Sequence, residues 1–485
     1  MTAVAVEAST RPLTERSGLE LAAAIRAGEV SSRDAVEAHI EQIERVNPRI
    51  NAVVVERFAE ARAEAAAADE RIAAAGPDEE LPPLLGVPCT IKESLSLAGL
   101  PQSAGVVARA DRPCERSSTV VERILAAGAI PLGLTNTSEL TLWVETENRL
   151  YGRTRNPYDS SRTAGGSSGG EGAAIGSGAS PLGLGTDFAG SIRLPAFFNG
   201  VFGHKPSVGL VPMTGHYPAA GGASAPFAVA GPLARRAEDL IVVLRAIAGP
   251  DGEDELAEDM ELGDPADVSL DGLRVVVSES GTLGPTGPEL AQARERAAGA
   301  LAAAGARLER VSTKSMRRAL EVYMATVATT GITLASLLED AGAEPLTVRS
   351  ALRRGGPHTV ATRLTAFLER ATARVPDRRT QKAVAARDAF VRELCDTIGD
   401  GVLLHPPAPK VAPRHGGTIG RVWWIHPTLV FNLAGLPVTQ VPLGLGNRGL
   451  PLGVQVVAGP GRDHVAIAAA LELERVFGGW TPPPA

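Results

Sequence analysis

The stretch Thr163–Gly178, TAGGSSGGEGAAIGSG, sets three serines among seven glycines in sixteen residues, and three readings compete for it. A flexible spacer is the ordinary meaning of a Gly/Ser run. This run, however, continues into PLGLGTDFAGSIRLPAFFNG, Pro181–Gly200, which is dense in small and apolar residues and reads as core. A phosphate cradle needs a lysine straight after the last glycine, or a GxGxxG turn between a strand and a helix. None of Lys92, Lys205, Lys314, Lys382 and Lys410 follows a glycine, and the lead-in NPYDSSRT is polar and turn-forming. The third reading is a catalytic serine loop. Gly165–Gly169 spells GxSxG, but a nucleophile elbow requires a strand just before it, which the lead-in denies. A Ser-His-Asp esterase using one of His204, His216, His358, His405, His415, His426 or His464 stays as an alternative.

The bulk composition narrows the classes. With 44% hydrophobic residues the chain can bury a large core, so disorder is not expected. A net charge of −7 with scattered basic residues argues against nucleic acid, which needs lysine and arginine gathered on one face. Cys89, Cys114 and Cys395 form no CxxC pair, so a reduced, cytoplasmic setting is expected. The first twenty residues carry no apolar signal region, and no run approaches eighteen apolar residues, so no membrane span is expected. Neither HExxH nor a short Cys/His cluster occurs, so no metal and no cofactor are expected.

Helix and strand signals alternate along the chain. SSRDAVEAHIEQIERV opens on a Ser31/Asp34 capping-box pattern, repeats Val36, Ile40 and Ile43 at helical spacing, and is expected to close at Pro48. Phe58–Ala75 reads as a solvated amphipathic helix. LLGVPCTIKES, AIPLGLTN, GLRVVVSES, ARLERVS and GVLLHPPAP read as strands. STVVERILAAGA and ELAQARERAAGALAAAG read as helices, and long helices are expected over Ser315–Asp396. Such alternation predicts an α/β fold, a mixed and mostly parallel sheet covered by helices. One large domain over residues 1–485 is expected, with residues 1–80 as an N-terminal helical part. Residues 249–268, acidic and nearly devoid of apolar side chains, are expected to form a surface excursion.

Three segments taken together, GVPCTIKES (Gly86–Ser94), GGSSGGEGA (Gly165–Ala173) and GTDFAGSIRLPA (Gly185–Ala196), resemble the amidase signature family of serine hydrolases. NPYDSSRTAGGSSGG, GVFGHKPSVGLVP, GVLLHPPAPKVAP, FNLAGLPVTQVPLG and GLPLGVQVV resemble its segments in order, so the likeness spans Gly86 to Asp463. It implies the amidase signature fold and a Ser-Ser-Lys catalytic triad without histidine. Ser191 would be the nucleophile, Ser167 the bridging serine after a cis peptide bond, and Lys92 the general base. The backbone N–H groups of Phe188, Ala189, Gly190 and Ser191 would form the oxyanion hole. Ser168, Asp187 and Arg193 would tie the loops together by hydrogen bonds.

The chemistry stands on its own terms. A serine hydroxyl attacks only when a neighbour takes its proton. Lysine can do so once burial has made it neutral, whereas arginine does not give up its proton. Lys92 sits inside an apolar run, as such a base requires. A nitrilase-like set of Cys89, Lys92 and Glu93 is disfavoured, because groups crowded on one short strand point to opposite faces.

The expected activity is hydrolysis of amides and anilides through an acyl-enzyme. A carbamate (urethane) hydrolase with the same triad and an amidotransferase A subunit are the alternatives, and an inactive scaffold that only binds is another. The loop continues as EGA, like stand-alone fatty-acid-amide enzymes, which favours a free-standing amidase. The partner is then a small-molecule amide or carbamate. Thr141 and Trp143, on a presumed helix, and the Trp423-Trp424 pair are the candidate pocket residues. The tryptophan pair also admits another reading, with one ring in the core and one at the contact of a homodimer.

Overall fold

Most of the short apolar runs become strands that bury both of their faces, whereas Arg307–Val311, at the edge of the sheet, stays largely exposed. In a computed structural model, residues 11–76, 78–279, 282–346, 356–372 and 377–484 are described. In chain order the strands are β1 (Val53–Glu56), β2 (Pro88–Lys92), β3 (Ile130–Thr135), β4 (Glu147–Asn148), β5 (Gly152–Arg153), β6 (Leu182–Asp187) and β7 (Phe202–Lys205). They continue as β8 (Val229–Ala234), β9 (Arg274–Ser278), β10 (Arg307–Val311), β11 (Val402–His405), β12 (Val438–Leu445) and β13 (Pro451–Ala458). Eleven of them form one sheet in the order β1-β3-β2-β6-β8-β7-β12-β13-β11-β9-β10, and β4 pairs with β5.

Side-chain alternation divides this sheet between two helical layers. Val275 and Val277 join an apolar core with helices Gly18–Arg26, Thr119–Ala126, Glu238–Ile247, Pro288–Ala303 and Asp463–Phe477. Val276, between them, joins a second core with helices Ala319–Thr329, Arg387–Ile398 and His426–Leu433. The α/β reading and the mixed sheet hold, but the proportion is corrected. Parallel pairing is confined to β3-β2-β6 and β11-β9-β10, and the other pairings in the sheet are antiparallel. The hairpin β12-β13 shows the cause: the five-residue connection Gly446–Leu450 is too short for the crossover that a parallel neighbour needs.

Two local expectations also change. Pro48 does not close its helix, which runs from Ser32 to Ile50 behind the Ser31/Asp34 capping box. A proline in the last turn removes one bond, and the helix ends at Asn51, whose φ of 51° leaves helical space. The helices over Ser315–Asp396 are shorter pieces; Gly331 (φ 70°) breaks one and Thr333 caps the next. Part of that span lies outside the described residues. The acidic segment 249–268 is largely irregular and stitched down: Asp251 accepts from the Thr119 hydroxyl at 2.7 Å and Asp254 from the Met213 N–H at 2.8 Å. Among the described residues, no single helix is long and apolar enough to cross a membrane.

Candidate active site

The glycine-serine stretch is neither spacer nor cradle. From Gly169 to Gly176 it forms a helix with every residue buried, packed on β2, β3 and β6 and on the helix Arg193–Phe198. Glycine is required by close approach: a Cβ on Gly172 would come within 2.7 Å of the Asn199 side chain, and one on Gly166 within 2.6 Å of the Trp143 carbonyl oxygen. The peptide bond Gly166–Ser167 is cis.

Because β2 and β6 are parallel neighbours, their carboxyl ends reach the same edge of the sheet, where α/β folds build their sites. Lys92 is the last residue of β2, and Ser191 lies in the turn just after β6. Lys92 Nζ lies 2.7 Å from Ser167 Oγ and 2.7 Å from Thr186 Oγ1. Burial pushes the lysine from 10.5 down to about 7, against the pull of the Asp187, Glu171 and Glu93 carboxylates. Glu171 accepts from the Thr90 and Thr135 hydroxyls at 2.7 and 2.8 Å, and burial raises it to about 8. Glu93 is turned elsewhere: its Oε2 accepts the Ala104 N–H at 2.8 Å and its Oε1 holds Ser103, while burial raises it to about 7. Cys89 lies in the apolar core with its thiol pushed up by burial, so the nitrilase-like trio does not assemble.

The turn bearing Ser191 is held by a buried ion pair. Arg193 reaches Asp187 at 3.0 Å with both side chains out of solvent. Its remaining donors bind the Thr428 carbonyl at 3.0 Å, Gln455 at 2.9 Å and Asn432 at 2.5 Å. The guanidinium, with the hydrogen bonds that Asp187 accepts from Arg193, Asn432 and the Ile192 N–H, holds its carboxyl well below the usual carboxylate range against burial. Asp187 also accepts the N–H groups of Gly190 at 2.7 Å and Ile192 at 3.0 Å. The Gly190 N–H is thus engaged inside the turn, whereas those of Phe188, Ala189 and Ser191 have no protein acceptor among the described residues. Ser168 links the two serine loops, its N–H donating to the Ser191 carbonyl at 3.2 Å and its hydroxyl to the Thr186 carbonyl at 3.2 Å.

Ser167 and Ser191 open on one cleft. Ser191 keeps 8% of its surface and Ser167 only 1%, so the former is the reachable hydroxyl. The apolar walls include Phe188, Met213, Val327, Ile332, Leu334 and Leu337. Thr141 lines this cleft, but not from a helix: Leu140 and Thr141 have φ of 54° and 58°, a backbone that side chains adopt only when their surroundings enforce it. Trp143 lines an adjoining cavity and donates to the Thr418 hydroxyl at 3.1 Å. Trp424 is buried against Phe198, and Trp423 is exposed; neither lines the cleft.

Sequence reasoning missed Thr186 and offered His216 only as a histidine of the Ser-His-Asp alternative; both line the cleft, and Thr186 meets Lys92. The one signal for Thr186 is its place at the carboxyl end of β6, the end at which α/β sheets build their sites. His216 touches neither serine: it bonds Thr186 Oγ1 at 3.3 Å and the Pro218 carbonyl at 2.9 Å. His204 bonds Asp463 and Thr439 instead. Among the described residues no histidine is hydrogen-bonded to Ser167 or Ser191, as a Ser-His-Asp esterase would need.

A buried lysine thus lies on one serine, with a second serine in the same cleft, and likeness to known proteins gives the class of the chain. The amidase family model matches residues 34–466. The chain is 41% identical to the fatty-acid amide hydrolase 2 of Homo sapiens, over 98% of this chain and 91% of that protein. It is 32% identical to the acylamidase of Rhodococcus erythropolis, over 95% of each. The solved structure of 6-aminohexanoate cyclic dimer hydrolase complexed with substrate matches with a TM-score of 0.82 at 27% identity, covering 97% of this chain and 99% of that one. The chain belongs to the amidase signature family and is an amide hydrolase.

Proposed function

We propose that this enzyme hydrolyses amides bearing an apolar acyl or aryl group through Ser191, Ser167 and Lys92, by way of an acyl-enzyme. The observation that carries the reading is the 2.7 Å contact of a fully buried lysine amine with Ser167 Oγ. Neutral Lys92 takes the proton of Ser167, which takes that of Ser191, and Ser191 Oγ attacks the substrate carbonyl. The oxyanion is met by the N–H groups of Phe188, Ala189 and Ser191, three donors in place of the four expected, each worth about 3 kcal/mol. Ser167 returns the proton to the departing amine, and water then cleaves the acyl-serine ester. Asp187, Arg193 and Ser168 hold the two serine-bearing turns in register and touch no substrate.

The apolar walls support a long acyl or aryl group, in line with the fatty-acid amide hydrolase among the relatives. Carbamates present the same carbonyl, so urethane cleavage needs no further group. The test pairs two variants with a label. Lys92→Arg is expected to lose turnover as thoroughly as Lys92→Ala, and near-normal rates with arginine overturn the base assignment. A fluorophosphonate is expected on Ser191 when mapped by peptide mass; label on Ser167 alone reverses the roles. A panel of fatty amides, anilides, primary amides and carbamates ranks the substrates.

A further inference from the structure

The amine of Lys92 meets two hydroxyls at the same distance, Ser167 Oγ and Thr186 Oγ1, each at 2.7 Å. An uncharged primary amine has two N–H donors and a single lone pair. To act as a base it must aim that lone pair at Ser167. Either hydroxyl can donate its hydrogen or accept one, so the two distances do not decide which of them the lone pair faces. If Thr186 donated to Lys92, the base would be occupied and idle.

Beyond Thr186 stands His216, with Nε2 3.3 Å from Thr186 Oγ1 and Nδ1 2.9 Å from the Pro218 carbonyl oxygen. A carbonyl oxygen only accepts, so Nδ1 carries the ring hydrogen and Nε2 of the neutral ring presents a lone pair. The Thr186 hydrogen is thereby drawn away from Lys92, and Thr186 can meet the amine only as an acceptor. One N–H of Lys92 is then directed at Thr186 and its lone pair is left for Ser167. The other ionisable groups around the lysine have their own partners: Asp187 holds Arg193, Glu171 holds Thr90 and Thr135, and Glu93 holds Ser103 and Ala104.

We infer that His216 is a positioning residue, which takes the Thr186 hydroxyl hydrogen and so fixes the direction in which the Lys92 amine faces. The inference rests on Lys92 being the general base. Burial and the neighbouring Lys92 charge hold the imidazole down at about 3, below its ordinary 6.5, so the ring is uncharged wherever the lysine is. Among the described residues, the charged groups facing it are Lys92 from β2, Asp187 from the end of β6, Glu369 across the cleft from the helix Val360–Thr372, and Asp254 across a second cavity.

The test uses steady-state kinetics of the full chain. His216→Leu removes the acceptor and is expected to lower kcat by about tenfold or more, a part of what a general base supplies, with KM little changed. Raising the pH is expected not to restore the rate, because the defect lies in orientation and not in protonation. His216→Gln, whose Oε1 can accept from Thr186, recovers most of the loss. In a Thr186→Val background no hydroxyl competes for the lone pair, so adding His216→Leu costs no more than about twofold. Should His216→Leu melt early, His216→Phe keeps the ring without the acceptor and takes its place. Full kcat without the acceptor, or an equal loss with and without the Thr186 hydroxyl, overturns the inference. The two readings fail separately. Turnover in Lys92→Arg removes the base and this inference with it, whereas a dead Lys92→Arg beside a fully active His216→Leu removes only the inference.

Discussion

Replacing Lys92 with methionine is expected to end turnover and yet to stabilise the folded enzyme at neutral pH. The amine is fully buried, and burial takes it from 10.5 to about 7. Between those values the unfolded chain keeps a proton that the folded chain has given up. The unfolded state therefore binds more protons, and stability rises with pH across the window. At roughly 1.4 kcal/mol per pH unit, burying the amine costs about 4 kcal/mol near pH 7 and about 2 kcal/mol near pH 9. Methionine is unbranched and uncharged and avoids this cost, but it leaves the Ser167 and Thr186 hydroxyls without their partner, at about 1 kcal/mol each. The variant should then be more stable by about 2 kcal/mol near pH 7 and about equal near pH 9. Lys205 titrates in a similar range, but both proteins carry it, so its effect largely cancels in the difference. Urea unfolding of both proteins across this range measures the gap. A gap that does not change with pH would refute the claim that burial neutralises this lysine.

Three further outcomes are expected. The rate kcat/KM for an uncharged anilide should fall tenfold per pH unit below an apparent pKa near 7, the value of Lys92, since only the neutral amine accepts a proton; a limb near 10 contradicts this. Asp187→Asn leaves the Arg193 guanidinium buried without its counter-charge and should cost about 3–5 kcal/mol, read as an early thermal transition; an unchanged midpoint would show that the pair does not hold the turn. Leu337→Trp narrows the apolar wall of the cleft and should lower kcat/KM for long-chain amides by about tenfold, the scale of a lost or blocked apolar contact, while sparing acetanilide. Equal losses on both would place the acyl group elsewhere.

The three residues proposed for catalysis were legible because each sits inside a segment with its own texture: a lysine ending an apolar strand, and serines in two glycine-rich turns. Their meeting was not legible from periodicity. Lys92 and Ser167 are 75 residues apart, and only the likeness of whole segments to a family brought them together. Thr186 escaped because LGLGTD reads as a glycine-rich continuation, and two glycines in six residues hide the alternation of β6. The tryptophan pair shows another limit. Adjacent residues in the turn Val422–Ile425 point in different directions, so Trp424 entered the core while Trp423 stayed outside. Strand direction was equally hidden: β12 and β13 have the composition of parallel core strands, and only the short turn between them reveals the hairpin.

The grip of Arg193 on Thr428, Asn432 and Gln455 has a consequence for synthesis. The turn that carries Ser191 is anchored to residues that the ribosome adds more than two hundred positions later. A nascent chain therefore offers that guanidinium only Asp187 until it is almost complete, and activity is expected only once synthesis is nearly finished. Shortened products ending before β13 would be inert even though every reacting group is already present.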